Sequence, residues 1–205
     1  MHIDLLDHLR CPADHAECWL VAAIERMADR HVERGTLGCP VCRRSYEIQD
    51  FAACFATPAE TVENRAHPTP DEVTRLAAML DLRVPGGFVG LHREWAPYAI
   101  PLAFSFDVHC VVLDDRRSIR PAEGVSLLIV DTALPLARGV LRGIALGIGA
   151  PQHAVHRALR PGGRVVGAAG LDVPAGIALM ARDVRSWVGE RLPDATPVVS
   201  LARPR

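Results

Sequence analysis

The second half of the chain alternates short apolar runs with longer amphipathic segments. Five runs have the length and composition of buried strands, at residues 88–91, 108–113, 126–130, 140–146 and 164–169. Helices are predicted between some of them, near residues 94–104 and 151–159. Because buried strands that alternate with helices usually pair in parallel through helical crossovers, this pattern predicts an α/β fold with a mostly parallel sheet.

A strong helix-start signal precedes the first of these strands. Thr69 is a suitable N-cap, Pro70 fits the first helical position, and Glu72 stands three residues after the cap. These residues can form a capping box, in which the N-cap and Glu72 side chains each accept the other's backbone N–H. The sequence Pro-Gly-Gly at 85–87 then predicts the end of this helical region.

The first fifty residues show shorter, alternating apolar patterns. Residues 19–23 and 31–37 can pair as a hairpin, and residues 45–48 alternate as a third strand. Residues 22–30 are equally compatible with a short helix, because intrinsic propensity alone does not decide between the two structures. The pattern therefore predicts a small β-rich unit with one ambiguous segment.

The chain divides at residues 57–70, where Pro58, Pro68 and Pro70 stand among polar residues with little apolar periodicity. Such a composition is typical of a linker. The prediction is a small domain over residues 1–56, a linker over 57–70 and an α/β domain over 71–205.

The richest chemical signal in the small unit is the sequence Cys39-Pro40-Val41-Cys42. Two cysteines with this spacing form a knuckle that directs both sulfurs at one metal ion. Upstream, Cys11 is also followed by proline and repeats the opening of the knuckle. The sequence therefore predicts a zinc site that uses Cys11, Cys39 and Cys42.

The fourth zinc ligand is less clearly specified. Asp14 stands where a second cysteine would complete a four-thiolate site, and His15 follows it directly. Either residue can supply a harder ligand, through oxygen or nitrogen, and Cys18 can contribute if the loop allows it. The alternative is a degenerate ribbon that has lost its metal and keeps its cysteines as small buried groups.

Composition limits the class of protein. The 205 residues are 49% hydrophobic and 23% charged, with a net charge of -1, which predicts a globular protein with an ample core. Neither a signal peptide nor a membrane anchor is indicated, so a cytoplasmic protein is expected. The balanced charge gives no global case for nucleic-acid binding. All basic residues are arginine, which excludes lysine-dependent Schiff-base chemistry.

Two stretches of the small unit resemble a known family. Leu-Leu-Asp-His-Leu-Arg-Cys-Pro at 5–12 and Gly-Cys-Pro-Val-Cys-Arg-Arg-Ser-Tyr-Glu-Ile at 38–48 are similar to the zinc-ribbon family whose best-known member activates tRNA and release-factor methyltransferases. The resemblance covers roughly the first fifty residues. It implies a zinc-ribbon fold and bound zinc, and Asp14 is the clear departure from its pattern.

The larger unit resembles class I S-adenosylmethionine-dependent methyltransferases. Leu-Arg-Pro-Gly-Gly-Arg-Val-Val at 159–166 matches the turn before the fifth strand of those enzymes. Asp131 begins a segment similar to the one after their third strand, where the acid faces the adenine. Asp114, or its neighbour Asp115, stands near the position of the ribose-binding acid. The resemblance implies a Rossmann-like sheet, with Asp114 and Asp131 as cofactor-binding residues. Asp131 is equally compatible with a role as a cap for the following turn.

The resemblance fails in the loop that follows the first strand. In the family this loop is glycine-rich, so that the backbone can approach the cofactor. Residues 91–98 read Leu-His-Arg-Glu-Trp-Ala-Pro-Tyr and contain no glycine. Trp95 and Tyr98 would occupy volume that the cofactor needs. We therefore expect S-adenosylmethionine to bind weakly or not at all.

Three functions are compatible with these features. The first is a catalytically degenerate protein that acts as a partner or stabilising subunit for another protein, or through self-association. The second is an active S-adenosylmethionine-dependent methyltransferase that modifies RNA, protein or a small metabolite. The third is a small-ligand binding protein that uses the crevice at the carboxyl ends of the strands. The altered cofactor loop favours the first.

Overall fold

A computed structural model describes residues 1–59, 67–114, 116, 119 and 122–193 of the chain. The central part of the expected linker, the alternative ribose acid Asp115 and the end of the chain lie outside these residues. Among the residues that are described, no helix is long and apolar enough to cross a membrane.

The N-terminal unit is an antiparallel meander preceded by one 3-10 helix. The helix spans Ile3–His8, and the strands are β1 (Val21–Ala28), β2 (His31–Gly38), β3 (Ser45–Gln49) and β4 (Ala52–Cys54). The predicted hairpin is confirmed, because β1 pairs with β2 through a tight turn in which Asp29 and Arg30 both have positive φ. The helical alternative for residues 22–30 is wrong, since this segment finds a strand partner in β2.

In the second unit, the described residues form three α-helices and seven strands. They are α1 (Pro70–Met79), β5 (Phe88–His92), a 3-10 helix (Arg93–Tyr98), α2 (Ala99–Phe106), β6 (His109–Asp114), β7 (Val125–Ile129), β8 (Leu141–Leu146), α3 (Gln152–Ala158), β9 (Leu159–Ala168), β10 (Ile177–Arg182) and β11 (Ser186–Arg191). The capping box at the start of α1 is present as predicted, with both reciprocal hydrogen bonds between Thr69 and Glu72.

The eleven strands found in the described part of the chain belong to one sheet, in the order β1-β2-β3-β4-β7-β6-β5-β8-β9-β11-β10. The six neighbouring strands β4, β7, β6, β5, β8 and β9 all run parallel to one another. Strand β11 pairs antiparallel with β9, and β10 forms an antiparallel hairpin with β11 at the far end. The order reverses at β5, which lies between β6 and β8, as in doubly wound sheets. The predicted Rossmann-like, mostly parallel architecture is therefore confirmed.

The two units are joined through the sheet itself. Strand β4 pairs in parallel with β7, so that Ala53 lies between Ile48 of β3 and Leu128 of β7. The segment that opens the chain then crosses one face of the sheet. Leu5 and Leu9 of this segment are fully buried there, in one hydrophobic core with Leu128. Helices α1 and α2 cover the opposite face. Residues from both units thus contribute to a single layered structure.

The sequence did not predict the hairpin of β10 and β11. Strand β10 is an edge strand whose side chains are mostly exposed, so it lacks the apolar run that identified the buried strands. Its neighbour β11 carries Trp187, which is completely buried. The indole lies so close to Gly167 that a Cβ at that position would be 2.4 Å from the ring. A glycine in β9 therefore provides the space that this tryptophan fills.

The Pro-Gly-Gly sequence at 161–163, predicted to precede a strand, lies inside β9, where it interrupts the pairing with β8. Leu159 pairs with Leu141, and pairing resumes between Arg164 and Gly143. Gly162 has a φ of 73°, a conformation that glycine adopts without strain. The turn thus separates a single bridging pair from the main parallel ladder.

One contact between the units predicts a pH-dependent stability. His109, at the start of β6, lies 2.9 Å through Nε2 from the Ser126 hydroxyl, which also accepts the backbone N–H of His2. Burial, followed by the nearby His2 and His31, lowers the pKa of His109 to about 4 from 6.5. The folded protein therefore disfavours a proton here. The associated stability is present above pH 6.5 and is lost as the pH falls towards 4.

We expect acidification from pH 7.5 to 4.5 to destabilise the wild type by about 2 kcal/mol more than His109→Gln, after allowance for partial solvent access. Glutamine keeps a polar atom near Ser126 but cannot gain a charge. Urea unfolding at the two pH values measures the difference. His153→Gln, which changes an exposed histidine on α3, should follow the wild type. Equal pH slopes for His109→Gln and wild type would contradict the assignment.

Candidate metal centre and cofactor crevice

The knuckle between β2 and β3 is shaped by backbone hydrogen bonds. The N–H of Cys39 donates to the carbonyl of Arg44 at 2.8 Å, and the N–H of Arg43 donates to the carbonyl of Cys39 at 3.0 Å. The N–H of Cys42 points at Cys39 Sγ, at 3.4 Å. This turn holds the sulfurs of Cys39 and Cys42 on one side, as the spacing predicted.

The segment after the first 3-10 helix brings further donors to the knuckle. Cys11 Sγ lies 3.7 Å from Cys42 Sγ, and His15 Nε2 lies 3.4 Å from Cys39 Sγ. The donor atoms of Cys11, His15, Cys39 and Cys42 all lie within 4.8 Å of one another. The structure therefore brings together four of the six residues that the sequence offered as metal ligands.

These separations suit a tetrahedral zinc site. Two sulfurs bound at 2.3 Å to one zinc ion lie about 3.8 Å apart in a regular tetrahedron, close to the observed distance between Cys11 and Cys42. The His15 ring is also oriented for ligation, because its Nδ1 lies 2.6 Å from the carbonyl of Ala16. A proton on Nδ1 would leave the Nε2 lone pair facing the sulfurs, an arrangement common among metal-binding histidines. The donor set could hold zinc.

The remaining two candidates occupy different positions. Asp14 is exposed and is not part of the group of close donors. Cys18, which the sequence offered only as a reserve ligand, lies 3.2 Å through its sulfur from Cys39 Sγ. The N–H of Cys11 donates to the carbonyl of Cys18 at 3.1 Å, and this bond closes the loop. A fifth donor therefore lies beside the group.

The pKa values of the neighbouring thiols of Cys39 and Cys18 shift in opposite directions. Burial raises the pKa of Cys39, but hydrogen bonds from the backbone of Cys42 and from Cys18 outweigh it and lower the pKa to about 6. Burial and the hydrogen bond with Cys39 raise the pKa of Cys18 to about 11. Because thiolates rather than thiols bind zinc, Cys39 is already prepared as a ligand.

The second candidate site is the crevice at the carboxyl ends of β5 and β8, where the strand order reverses. The 3-10 helix that follows β5 places its side chains over this crevice. Glu94 accepts the N–H of Ile148 at 3.1 Å, and Trp95 Nε1 donates to the carbonyl of Leu146 at 3.1 Å. The Tyr98 ring packs against Trp95 with centroids 5.3 Å apart. Side chains of the protein itself therefore form hydrogen bonds with the backbone groups that line the crevice.

The close approach of Glu94 to Gly147 shows most clearly that side chains fill the crevice. An ideal Cβ on Gly147 would lie 1.9 Å from Glu94 Oε2 and 2.4 Å from its carboxyl carbon. Glycine is thus required here to admit Glu94. The sequence identified Trp95 and Tyr98 as bulky residues in this loop but missed Glu94. In the sequence, this contact was indicated by nothing more than a carboxylate in the loop and a glycine more than fifty residues later.

The two predicted cofactor-binding acids lie in different environments. Asp114 ends β6 and is completely buried. Asp131 follows β7 and is exposed. The two acids stand at the ends of adjacent parallel strands, and cofactor binding by either residue stays a prediction.

Comparison with known proteins gives two kinds of similarity. Residues 2–50 match the family model described as Trm112p-like protein. A search of curated proteins by sequence found no match.

Among solved structures, the chain is similar to several methyltransferases. One is the antibiotic-resistance methyltransferase Kmr, with 15% identity over 64% of this chain and 97% of that chain, and a TM-score of 0.41. Another is phosphoethanolamine N-methyltransferase 2 from Haemonchus contortus in complex with S-adenosyl-L-methionine, with 12% identity over 52% of this chain and 30% of that chain, and a TM-score of 0.43. Residues 2–50 are therefore similar to Trm112p-like proteins, and the rest of the chain supplies the mostly parallel, Rossmann-like part of the sheet.

Proposed function

We propose that this methyltransferase-like protein does not transfer methyl groups and acts as a binding or stabilising partner, with zinc holding its N-terminal unit. The observation that carries the proposal is the occupation of the crevice by Glu94 and Trp95. An active S-adenosylmethionine-dependent enzyme acting on RNA, protein or a small metabolite is the alternative.

The argument against cofactor binding is one of space and hydrogen bonding. In doubly wound sheets a ligand binds in the crevice outside the carboxyl ends of the strands, where bare backbone allows a close approach. At Gly147 that approach is already made by the Glu94 carboxylate. The neighbouring backbone groups at Leu146 and Ile148 have protein partners as well. A ligand would have to displace a carboxylate and an indole before it gained these contacts.

The metal centre has the features of a structural site. Cys11, Cys39 and Cys42 would supply three thiolates, with His15 as the fourth ligand in preference to Asp14. Four protein ligands leave no open position for water or substrate, which is typical of structural zinc. The donor geometry and the Nδ1 contact of His15 with Ala16 support this assignment.

An exposed apolar edge supports the partner role. Trp19, Val21, Ile24 and Met27 are between 41% and 63% exposed, on or next to β1. In the described sheet β1 is an outermost strand. Apolar groups along a strand edge are a common site of protein association. Sedimentation velocity of the purified chain would detect self-association, the simplest form of such a partnership.

Isothermal titration calorimetry with S-adenosylmethionine tests the absence of cofactor binding. We expect no binding tighter than about 10 μM, which corresponds to about 7 kcal/mol, because that affinity requires contacts along most of the ligand. The matched variant Glu94→Ala/Trp95→Ala removes the two side chains that occupy the crevice. It should bind the cofactor at least as well as the wild type.

Tight binding by the wild type would overturn the proposal in favour of the active enzyme. In that case Asp131→Ala and Asp114→Ala should each weaken binding if the predicted acids contact the cofactor. Because Asp131 is exposed and Asp114 is buried, the Asp131 variant is the cleaner of the two. Insensitivity to both would mean that the ligand binds elsewhere.

A further inference from the structure

The metal centre has one donor too many. Zinc in a structural site takes four ligands, but five donors are available: Cys11, His15, Cys18, Cys39 and Cys42. With His15 as the fourth ligand, the thiol of Cys18 remains beside the site without a position in the coordination shell. Its sulfur nevertheless lies 3.2 Å from Cys39 Sγ, nearer than the 3.7 Å between Cys11 and Cys42.

We propose that Cys18 is the resolving thiol of a redox switch, which forms a disulfide with Cys39 under peroxide and releases the zinc ion. This inference rests on the proposed zinc centre and adds a condition under which the centre is dismantled. A disulfide requires about 2.05 Å between the sulfurs, so the pair would reach bonding distance after a movement of about 1 Å.

The states of the two sulfurs set the order of the reaction. In the proposed zinc site Cys39 is a thiolate, whereas Cys18 outside the coordination shell is a thiol, and the thiolate is the nucleophile towards peroxide. Hydrogen peroxide oxidises the Cys39 thiolate to sulfenic acid, and the O–O bond breaks to release one hydroxide ion. Cys18, which is partly exposed, then loses its proton, attacks the Cys39 sulfur and displaces the second hydroxide. In total, one thiolate, one thiol, one peroxide and one proton give one disulfide and two waters.

Loss of Cys39 leaves too few ligands for the metal. After the reaction the close donors would be Cys11, His15 and Cys42, which are three instead of four. A three-ligand site with an open position holds zinc less firmly than a closed site with three thiolates. The loop between Cys11 and Cys18 is already closed by a backbone hydrogen bond. The new disulfide can therefore form without unfolding the unit first.

The test uses the zinc-loaded full chain. Hydrogen peroxide is added, released zinc is followed with a colorimetric indicator, and disulfides are mapped by mass spectrometry of peptides. We expect about one equivalent of zinc to be released together with a bond between Cys18 and Cys39, and thiol reductant to restore zinc binding. Cys18→Ser should release zinc at least about fivefold more slowly, because it lacks the resolving thiol. Cys54→Ser, which changes a cysteine on β4, should behave as wild type.

Each outcome bears on the inference. A disulfide between other cysteines, or equal release rates for wild type and Cys18→Ser, would overturn it. If Cys18→Ser fails to hold zinc, peptide mapping of the oxidised wild type still decides which sulfurs join. The zinc content before oxidation tests the proposed metal centre separately, so a failure of that proposal is distinguishable from a failure of the switch.

Discussion

Replacing Cys39 with serine is expected to abolish zinc binding and to lower the thermal midpoint of the protein. Cys39 Sγ contacts the sulfur of Cys18, the ring of His15 and the N–H of Cys42, so it lies at the centre of the donor cluster. A serine hydroxyl does not replace a thiolate as a zinc ligand. Structural zinc contributes about 10–16 kcal/mol in zinc-finger peptides.

In this protein the N-terminal unit is also stabilised by the core that it shares with the sheet, so it depends less on zinc than an isolated zinc finger does. We therefore expect Cys39→Ser to lose about 3 kcal/mol, or about 6–12 °C in thermal midpoint for a chain of this length. Elemental analysis of protein purified without chelators measures the zinc, and scanning calorimetry measures the midpoint. Cys54→Ser makes the same chemical change outside the cluster and should retain both properties.

Two results would contradict this expectation. Wild-type protein with less than about a tenth of an equivalent of zinc would reject the metal centre. An unchanged midpoint in Cys39→Ser would show that the ribbon is held by its apolar contacts alone, as in a ribbon that has lost its metal. Either result would favour the interpretation of these cysteines as small buried groups.

A charge placed at the joint between the two units is expected to destabilise the entire protein. Ala53 is completely buried and pairs with Ile48 on one side and Leu128 on the other. An aspartate there would place a carboxylate in an apolar core. We expect Ala53→Asp to cost about 4 kcal/mol or more.

Urea unfolding followed by circular dichroism measures this loss. Ala28→Asp is a matched control, because Ala28 is an exposed residue of β1 and its substitution should cost no more than about 0.5 kcal/mol. Because strands of both units form one sheet, the wild type should unfold in a single transition. Two separate transitions, with only the first affected by Ala53→Asp, would show that the units fold independently.

The sequence by itself determined the features that depend on neighbouring residues. The capping box of Thr69 and Glu72 closes within one turn of helix, so its residue types and spacing are sufficient to predict it. The knuckle of Cys39 and Cys42 is likewise closed by hydrogen bonds within a few residues. Buried parallel strands were recognisable because both their faces are apolar, which leaves continuous apolar runs in the sequence.

Only the tertiary structure decided how distant segments meet. The pairing of β4 with β7 joins residues more than seventy positions apart, and no local pattern specifies that partner. Similarly, His15 and Cys18 reach the knuckle through the path of a loop, so the sequence could offer both without choosing between them. The contact of Glu94 with Gly147 depends on two adjacent strands ending at the same edge of the sheet. Local chemistry fixes which groups are available, whereas the fold fixes which of them come within contact distance.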